Sequence, residues 1–551
     1  MTRADLVVLN GDILTMDQAR PRAQALAVYD GHITALGSTA ELRAHCGVDT
    51  HIIDLAGRMA MPGLVDGHCH ATNGAIANLF SCKFGFDATP DDIRHALLSS
   101  TGRFPHAQVI LGGRWGSGFF ERHGIASPRA WLDCIVPERA VYLRDDSGHN
   151  ACANSRALAL VGIDRHSVEP PGGRILRAPN SNEPNGLLLE EADSQARGRL
   201  PDWSAAQYQT GVREMVRIAN AYGISGINDA DANLPLLQAY RAVDEQDALS
   251  VYVAASLTTP YGHRTTPLDY ALLESWRDTY ASRHVDTRFV KIYQDGVPTS
   301  ARSACMLAPY VEHQDFPAGY RGVMHVDGAT LAHDIAELET RGFTVKLHTA
   351  GDGSIRAALD AIEIAHARSG RRDLCHELSH AGFVAEVDIP RFAALNVAAD
   401  LSPYLWYPAP IIDSIRAALG PRAELYWPIK DLLEAGAPLL AGSDWPAAVA
   451  SMNPWPGIAT LVTRRDPDDA TRGALWPEQS ISLMQALHIF TVDGARALRR
   501  SAHTGSLAIG KSADLIVLDR DLFTIAPAAV AGTEVEITIF EGRVVHQRAA
   551  L

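Results

Sequence analysis

The sequence predicts an α/β fold: a (β/α)8 TIM barrel with a small β-sandwich domain formed by both chain termini, and a large insertion after the first barrel strand. Through the middle of the chain, short apolar segments alternate with helical stretches, which is typical of a parallel barrel. Both ends of the chain carry short strand patterns instead. The 551 residues exceed what one compact core usually holds, so we expect at least one unit beside the barrel.

The terminal segments share one pattern. The first reads ADLVVLNGDILTMD and AQALAVYDGHITALG, with Asn-Gly and Asp-Gly turns between strands, and the last reads SADLIVLDRD and VEITIFEGRVVH. Neither end could bury both faces of its strands alone. We therefore predict that residues 1–58 and 496–551 pair into one β-sandwich.

Eight segments between these ends have the character of barrel strands. They are residues 61–70, 223–229, 250–256, 288–296, 343–351, 375–382, 396–403 and 438–446. The first lies in a unit that we place at 59–71, and the others belong to the rest of the barrel, 206–495. Because the first gap is too long for one crossover, residues 72–205 are predicted to be an insertion. Nearly every segment finishes in His, Asp or Lys, and catalysis in this fold sits at the carboxyl ends of the strands.

The composition of the chain argues against several classes of function. The net charge of -15 and a pI of about 5.8 argue against a nucleic-acid groove, which would carry a basic stripe. No apolar run has membrane-spanning length, and the N-terminus lacks the apolar region of a signal peptide. Seven dispersed cysteines without a CxxC pair suit reduced thiols in a cytoplasmic protein. We expect a small-molecule substrate, no nucleic-acid or membrane partner, and consider a homodimer as the assembly.

His68 and His70 form a His-x-His pair at the end of the first predicted strand. A period of two places both side chains on one face, and imidazole is a common ligand for zinc. Taken alone, the pair is more often two packed histidines with hydrogen-bond partners. The later strand ends favour a metal site, because His348, His380 and Asp444 also end predicted strands and would converge on one barrel mouth.

Lys291 lies inside the apolar strand FVKIY. A buried lysine is costly unless its charge is paired or removed. Two interpretations stay open: an ion pair with Asp295 on the same face, or a neutral amine that captures carbon dioxide and becomes a carbamate ligand for metal.

Residues 376–380 read HELSH and satisfy the HExxH pattern of metalloproteases. That motif needs a long helix, whereas this segment is short and occupies a strand position. In a strand, His376 and His380 would share a face and Glu377 would point away from the metal, so we discount a protease.

Three residues are weaker candidates for substrate binding. His149, in SGHNACANS, either lines the pocket or belongs to a hydrogen-bonded turn. Arg302 follows the fourth predicted strand and would suit a substrate carboxylate, although solvated loop arginines are more frequent. Trp115 suggests an apolar pocket wall, whereas most aromatic clusters are core.

The order of these residues along the chain resembles the amidohydrolase superfamily, and within it the YtcJ-like branch (amidohydrolase family 3), which includes N-substituted formamide deformylases. The resemblance spans nearly the whole chain and rests on PGLVDGHCH, GHNACANSRAL, VKIYQDG, HTAGDGSI, HELSHAGFVAEVDIPRF, GSDWP and GSLAIGKSADLIVLDRD. It implies that His68, His70, His348, His380 and Asp444 are metal ligands and that Lys291 is a carboxylated bridging ligand. One departure is Glu377-Leu378-Ser379, where the family often carries Arg-Ile-Glu.

The resemblance implies a metal-dependent hydrolase that cleaves an amide-type, non-peptide C–N bond of a small molecule by attack of metal-bound hydroxide. One or two divalent ions, with zinc expected, would activate water, and Asp444 would move its proton to the leaving nitrogen. Lactone or ester hydrolysis, deamination and decarboxylation on the same site stay open as alternatives. A non-enzymatic metal-binding protein is a further one.

Overall fold

A computed structural model describes residues 4–116, 118–314, 316–405, 410–447 and 449–548. At its centre is a parallel sheet of eight strands, which we number in chain order. They are β1 (Leu64–Cys69), β2 (Ile224–Ala232), β3 (Tyr252–Leu257), β4 (Val285–Tyr293), β5 (Thr344–Thr349), β6 (His376–His380), β7 (Val397–Leu401) and β8 (Leu439–Ala441). Their side chains are almost all buried, as expected for parallel strands that are covered on both faces.

The sheet curls into a nearly closed barrel. Each strand pairs with the next in the sequence, from β1 to β8. Between the last strand and the first, the chain forms two backbone hydrogen bonds near the carboxyl ends of the strands. Asp444 N donates to His68 O at 2.7 Å, and His70 N donates to Trp445 O at 2.8 Å. The prediction of an eight-stranded parallel barrel is confirmed.

Helices connect the strands and cover the barrel. Those that follow or precede barrel strands are Ala71–Phe80, Ala205–Ala221, Leu234–Asp244, Tyr270–Tyr280, Gly328–Thr340, Asp352–Ser369, Ile389–Ala394, Pro410–Leu419, Ile429–Glu434, Pro454–Thr463, Leu483–His488 and Gly494–Ala497. Several begin at a side-chain cap: Asn233, Asp269 and Asp327 each accept a hydrogen bond from a backbone N–H in the first turn. Among the described residues, none of the helices combines the length and the apolar character needed to cross a membrane.

The segment 61–70, predicted as one strand, is two strands in different sheets. Met59–Pro62 pairs with Leu515–Leu518 of the C-terminal region, and the barrel strand begins only at Leu64. Gly63 is the junction: its N–H donates to Asp514 O, while Leu64 N donates to Gly223 O of the barrel. The apolar sequence is continuous across both strands, which is why sequence alone did not separate them.

Two sheets form from the chain ends. The first, in spatial order, contains His32–Gly37, Ala25–Tyr29, Leu6–Leu9 and His51–Asp54. The second contains Arg543–Gln547, Val535–Phe540, Leu515–Leu518, Met59–Pro62, Asp12–Leu14 and Arg22–Ala23. Side chains of both sheets share one apolar core, which includes Leu26 and Val28 of the first sheet and Val517 and Ile539 of the second. A short helix, Thr39–Leu42, lies against the first sheet.

The region between β1 and β2 has its own six-stranded mixed sheet. In spatial order its strands are Gly173–Arg177, Pro184–Glu190, Asn150–Ala153, Ala140–Asp145, Val109–Trp115 and Cys82–Lys83. Its helices are Pro90–Arg103, Phe119–Arg122, Pro128–Ile135, Ser155–Leu160 and Glu191–Arg197. The turn between Ala140–Asp145 and Asn150–Ala153 carries residues 146–149 and reaches the barrel mouth, as described below.

Gly442, directly after β8, allows the close contact with β1. A Cβ atom at this position would lie 2.2 Å from His68 N and 2.5 Å from His68 O. We expect Gly442→Ala to lower the free energy of unfolding by about 3 kcal/mol, at the upper end of the usual overpacking range, because backbone rather than a side-chain tip must move. Chemical denaturation measures this.

The matched control is Gly102→Ala, where a Cβ would meet no atom within 4 Å on an exposed helix. It should leave stability unchanged or raise it by up to about 1 kcal/mol. Equal stability of Gly442→Ala and wild type would contradict the tight β1–β8 contact.

Candidate metal centre

Four histidines and one aspartate meet at the carboxyl ends of the barrel strands. Three distances define the cluster: Asp444 Oδ1 lies 3.7 Å from His68 Nε2 and 3.5 Å from His70 Nε2, and Asp444 Oδ2 lies 3.9 Å from His380 Nδ1. The His348 ring is 4.6 Å from the His380 ring between centroids. The structure thus brings together all five of these residues.

Two of these residues reach the mouth through unusual backbone conformations. His380, the last residue of β6, has φ +72°, and Asp444, three residues after β8, has φ +57°. Non-glycine residues with positive φ are uncommon and often mark functional sites. Here the left-handed conformation turns both side chains towards His68.

Hydrogen bonds fix which nitrogen faces the centre in two of the histidines. His68 Nδ1 lies 2.6 Å from Asp400 Oδ2, so it donates a hydrogen bond there and leaves a lone pair on Nε2. That Nε2 is buried and has no hydrogen-bond partner among the described residues. His348 Nδ1 likewise lies 3.2 Å from Asp295 Oδ1. An orphaned, buried lone pair is what a metal ion would use, so these residues fit one.

Burial also keeps these imidazoles in the ligand form. It is the main cause that holds the pKa of His68, His70, His348 and His380 well below the ordinary histidine value, with neighbouring cationic groups adding to it. Burial raises the pKa of the Asp444 carboxyl to about 7, against the opposing charge of Lys291.

Lys291, in β4, is 1% exposed and faces the same region. Burial, and after it the charge of Lys346, lower the pKa of Lys291 to about 8. The ion pair with Asp295 that the sequence suggested does not form. The Asp295 carboxylate instead accepts hydrogen bonds from Ser354 Oγ and from backbone N–H groups, including that of Ala350. Within the described residues, the Lys291 Nζ contact is the face of the Tyr293 ring, 5.1 Å from its centroid.

A polar network fills the barrel beneath the centre. Lys346 Nζ, on β5, lies 2.5 Å from Glu377 Oε2, 2.8 Å from Asp400 Oδ2 and 3.1 Å from Gly67 O. Because the same Asp400 oxygen also binds His68, a chain of contacts runs from Lys346 through Asp400 to the candidate ligand. Burial alone would lower the pKa of Lys346, but Asp400 and Glu377 outweigh it and raise that pKa.

The expectation that Glu377 points away from the centre is therefore wrong. Glu377 faces the barrel interior, where it binds Lys346 and receives a hydrogen bond from Asn228 on the opposite strand β2. The expectation counted strand alternation back from His380. The backbone of His380 is not extended, so its side chain faces inward although regular alternation would turn it outward. Counting back from His380 therefore gives the wrong face for Glu377 and His376.

His376, the first residue of the HELSH segment, faces the outer helices. Its Nε2 lies 2.9 Å from Glu339 Oε1, and its Nδ1 accepts a hydrogen bond from Val345 N at 3.0 Å. The proton must then be on Nε2, so this histidine offers no lone pair to an ion shared with Glu339 and the nearby His366. The segment forms a strand, with no HExxH helix, and the sequence-based exclusion of that motif is consistent with this geometry.

The insertion adds a histidine to the mouth. His149 Nδ1 lies 2.9 Å from Glu190 Oε2 and 3.1 Å from Tyr261 OH, and its ring centroid is 5.5 Å from that of His348. Burial alone would lower the pKa of His149, but the Glu190 carboxylate outweighs it and raises that pKa.

The two other candidates for substrate binding lie in different surroundings. Trp115 is 5% exposed and packs in the core of the insertion, with its ring 5.4 Å from that of Phe120. Arg302 is buried in the loop after β4, where it donates to the carbonyls of Ser300 and Ala417 and lies over the Phe316 ring. Among the described residues, the contacts of Arg302 include none of the five clustered at the mouth. The structure thus places Trp115 in a core rather than at a pocket wall.

Several residues of this region were not singled out from the sequence. Asp400 and Lys346 lie in segments, NVAADLSP and FTVKLHTAG, that were identified as strands. A charged residue within an apolar strand is the signal that singled out Lys291, and it applies equally to both. Arg114 directly precedes Trp115 and carried no such signal, because its segment GGRWG was not identified as a strand.

Comparison with known proteins gives the same family as the sequence motifs. Residues 51–546 match the family model described as Amidohydrolase family. The chain is 27% identical to the putative amidohydrolase YtcJ of Bacillus subtilis over 544 residues, covering 98% of this chain and 99% of that protein. It is 26% identical to an N-substituted formamide deformylase of Arthrobacter pascens over 553 residues, covering 99% and 98%.

A solved structure supports the fold. The crystal structure of an uncharacterized metal-dependent hydrolase from Pyrococcus furiosus superposes with a TM-score of 0.71 at 21% identity, covering 94% of this chain and 99% of that one. At this identity the likeness shows the shared fold.

The buried network makes a prediction about stability. Lys346→Met leaves Glu377 and Asp400 buried without their counter-charge, so the free energy of unfolding should fall by about 3–5 kcal/mol. Adding Glu377→Leu removes one of the two uncompensated acids and should recover part of the loss. Urea denaturation of both variants measures this.

The control is Lys430→Met, because the Lys430 side chain is 49% exposed and pairs loosely with Glu434. Its effect should stay within about 0.5 kcal/mol. A double variant as unstable as Lys346→Met alone would show that Glu377 is not the partner that needs the ammonium.

Proposed function

Because this chain belongs to the amidohydrolase family, we propose that it hydrolyses an amide-type C–N bond, other than a peptide bond, in a small molecule. The chain is a metal-dependent hydrolase of this family, and its relatives include an enzyme named as an N-substituted formamide deformylase. The observation that carries the proposal is the buried, unpartnered Nε2 of His68 directed at Asp444. Such an atom suits a metal ligand better than a packed histidine.

The proposed ligands are His68, His70, His348, His380 and Asp444, around one or two divalent ions. Nitrogen and carboxylate donors of this kind favour zinc among the common divalent ions. When bound, such an ion lowers the pKa of water and polarises a carbonyl oxygen. Asp400 and Asp295 hold two of the ligand rings in the required orientation, since each accepts a hydrogen bond from the ring nitrogen that faces away from the centre.

Asp444 is the proposed general base and acid. One oxygen faces His68 and His70 and the other faces His380, so the carboxylate stands at the centre of the cluster. It accepts a proton from the attacking water and delivers it to the leaving nitrogen as the C–N bond breaks. The water oxygen becomes part of the new carboxylic acid, and the nitrogen leaves as an amine.

His149 is the proposed donor to the carbonyl oxygen. Glu190 and Tyr261 occupy its Nδ1, and the protonated imidazole, which the raised pKa of His149 favours, has Nε2–H left for the substrate. A positioned N–H is most effective where negative charge develops on the oxygen during attack. The role assigned to His149 is therefore stabilisation of that oxygen.

We also propose that Lys291 carries a carbamate that bridges two ions. Its neutral Nζ would attack carbon dioxide, an N–C bond would form, and one proton would leave to solvent. Its deep burial and the absence of an ion pair with Asp295 support this, because a carbamate supplies an anion where two cations would otherwise lack charge balance.

The remaining parts of the proposal concern the setting of the enzyme. All seven cysteines are free, which suits a reducing compartment such as the cytoplasm. We propose that residues 1–58 and 496–551 form a β-sandwich, that residues 72–205 are an insertion, and that the rest of the chain is the barrel. The proposed assembly is a homodimer. A small molecule is the proposed substrate.

Activity on a substrate panel tests the function. Zinc-loaded protein should release amine from N-substituted formamides or N-acyl amines, and dialysis against a chelator should abolish this turnover. Asp444→Asn should lower kcat by about a hundredfold or more, because the basic carboxylate is lost. Product formation and metal content by elemental analysis are measured together.

The control is Asp360→Asn, since the Asp360 side chain is 57% exposed on an outer helix; its kcat should match wild type. The same panel contains lactones, esters and aminated heterocycles. Turnover of these instead of amides would replace the proposed reaction with one of the alternatives, and full activity in metal-free protein would contradict the metal site.

The carbamate has a separate test. Protein incubated with 13C-bicarbonate should show a carbamate carbon resonance, and Lys291→Ala should lose both that resonance and bound metal. Added acetate or propionate should restore part of the metal content by filling the gap. Lys430→Ala is the exposed control. Full metal loading of Lys291→Ala without added carboxylate would rule out a bridging role.

A further inference from the structure

A guanidinium group without a partner lies at the edge of the candidate metal centre. Arg114 belongs to the insertion strand Val109–Trp115. Its neighbour Trp115 packs into the core of the insertion, whereas Arg114 lies at an irregularity in the strand pairing and reaches the turn that carries Gly148. Within the part of the chain that the structure describes, the Arg114 side chain makes no hydrogen bond and no ion pair, and its Nη1 is buried. An unpaired charge on a partly buried side chain is costly, so the retention of Arg114 needs an explanation.

The position of Arg114 relates it to the reacting groups. A Cβ atom on Gly148 would lie 2.8 Å from Arg114 Nη1. Gly148 directly precedes His149, whose ring is 5.5 Å from that of the proposed ligand His348. The charge of Arg114 also acts on a histidine of the candidate metal centre. Burial is the main cause of the low pKa of His70, and the charges of Lys291 and Arg114 add to it.

Two buried carboxylates of the insertion, Asp145 and Asp193, already have donors. Asp145 accepts hydrogen bonds from Ser147 Oγ, Gly148 N and Asn150 Nδ2. Asp193 accepts from Tyr142 OH at 2.6 Å and from Arg144 Nη2 at 3.0 Å. Neither acid receives a hydrogen bond from Arg114, and the Nε of Arg144 is also buried without a partner. The insertion therefore presents unused guanidinium N–H groups, while the charges of Asp145 and Asp146 act on Arg114 without a hydrogen bond to it.

We propose that Arg114 binds a carboxylate on the substrate, so that the enzyme acts on anionic amides, namely N-acyl or N-formyl amino acids. This rests on the proposed amide hydrolysis and adds the substrate class. A guanidinium presents paired N–H groups that match the two oxygens of a carboxylate, and such charge-assisted contacts are strong when water is excluded. Hydrolysis breaks the acyl C–N bond, adds the water oxygen to the acyl carbon, and releases a carboxylic acid and an amino acid.

Matched substrate pairs test the proposal. The panel contains N-formyl and N-acetyl derivatives of glycine, leucine and phenylalanine, each as the free acid and as the uncharged carboxamide. Wild-type enzyme should prefer the acids. Arg114→Met should lower kcat/KM for the acids by about 10- to 100-fold, the value of a hydrogen bond to a charged group, while the carboxamides are little affected. Arg114→Lys, which keeps the charge but not the paired geometry, should fall between the two.

Thermal stability separates recognition from structure. Because the partly buried Arg114 has no ion pair to lose, the Tm of Arg114→Met should be equal to or above that of wild type. The free acids should raise the Tm of metal-free wild-type protein, in which no turnover occurs, and should not raise that of Arg114→Met. Arg94→Met, an exposed arginine of the same insertion, is the matched control and should behave as wild type in every assay.

Three outcomes would overturn the proposal. An equal loss of activity on acids and carboxamides in Arg114→Met would mean that the residue only supports the fold. Equal use of acids and carboxamides by wild type would reject the anionic substrate while leaving amide hydrolysis intact. If no amide is hydrolysed, the proposed function fails, and the Tm shifts of the metal-free protein still decide whether Arg114 binds carboxylates.

Discussion

The joint between the first and last barrel strands is the contact on which the centre depends. The Asp66 carboxylate, in β1, accepts hydrogen bonds from Ser443 N at 3.0 Å and Ser443 Oγ at 2.6 Å, and from His68 N at 3.2 Å. One buried acid therefore ties the backbone that carries His68 to the backbone that carries Asp444. β8 has only three residues in regular pairing, so side-chain hydrogen bonds take over where the ladder ends. The His68–Asp444 geometry follows from this joint rather than from either strand alone.

The barrel interior is unusual for its polarity. Barrels of this type are normally filled by layers of branched apolar side chains. Here Lys346, Glu377 and Asp400 occupy the space below the mouth, all completely buried. A well-packed apolar trio of similar volume would often be as stable or more so. The polar trio gives His68 a partner with a defined orientation, which an apolar layer could not do.

The sequence predicted the barrel and the five clustered residues because both depend on local patterns. Strand-end polar residues converge in any closed parallel sheet, so their meeting point needed no knowledge of packing. The predicted direction of Glu377 was wrong for a local reason: the positive φ of His380 breaks the alternation from which that direction was inferred. The choice of Arg302 rather than Arg114 as a candidate for substrate binding has a long-range cause. Which of two arginines meets the mouth depends on how the insertion folds over the barrel, and no periodicity in the sequence encodes that.

The barrel and the insertion have different roles in the proposed reaction. The proposed metal ligands and general base lie on barrel strands or shortly after them, where neighbouring strands constrain each position. His149, proposed to stabilise the carbonyl oxygen, and Arg114, proposed to bind the substrate carboxylate, come from the insertion. Glu190, which orients His149, stands at the end of an insertion strand with φ +52° and ψ -118°, a strained conformation for a residue other than glycine. The strain persists because its carboxylate is held by His149, Tyr261 and Ser303 together. Ser303 and Tyr261 belong to loops of the barrel, whereas His149 belongs to the insertion. The Glu190 carboxylate therefore joins the insertion to the barrel and positions His149 relative to the proposed metal ligands.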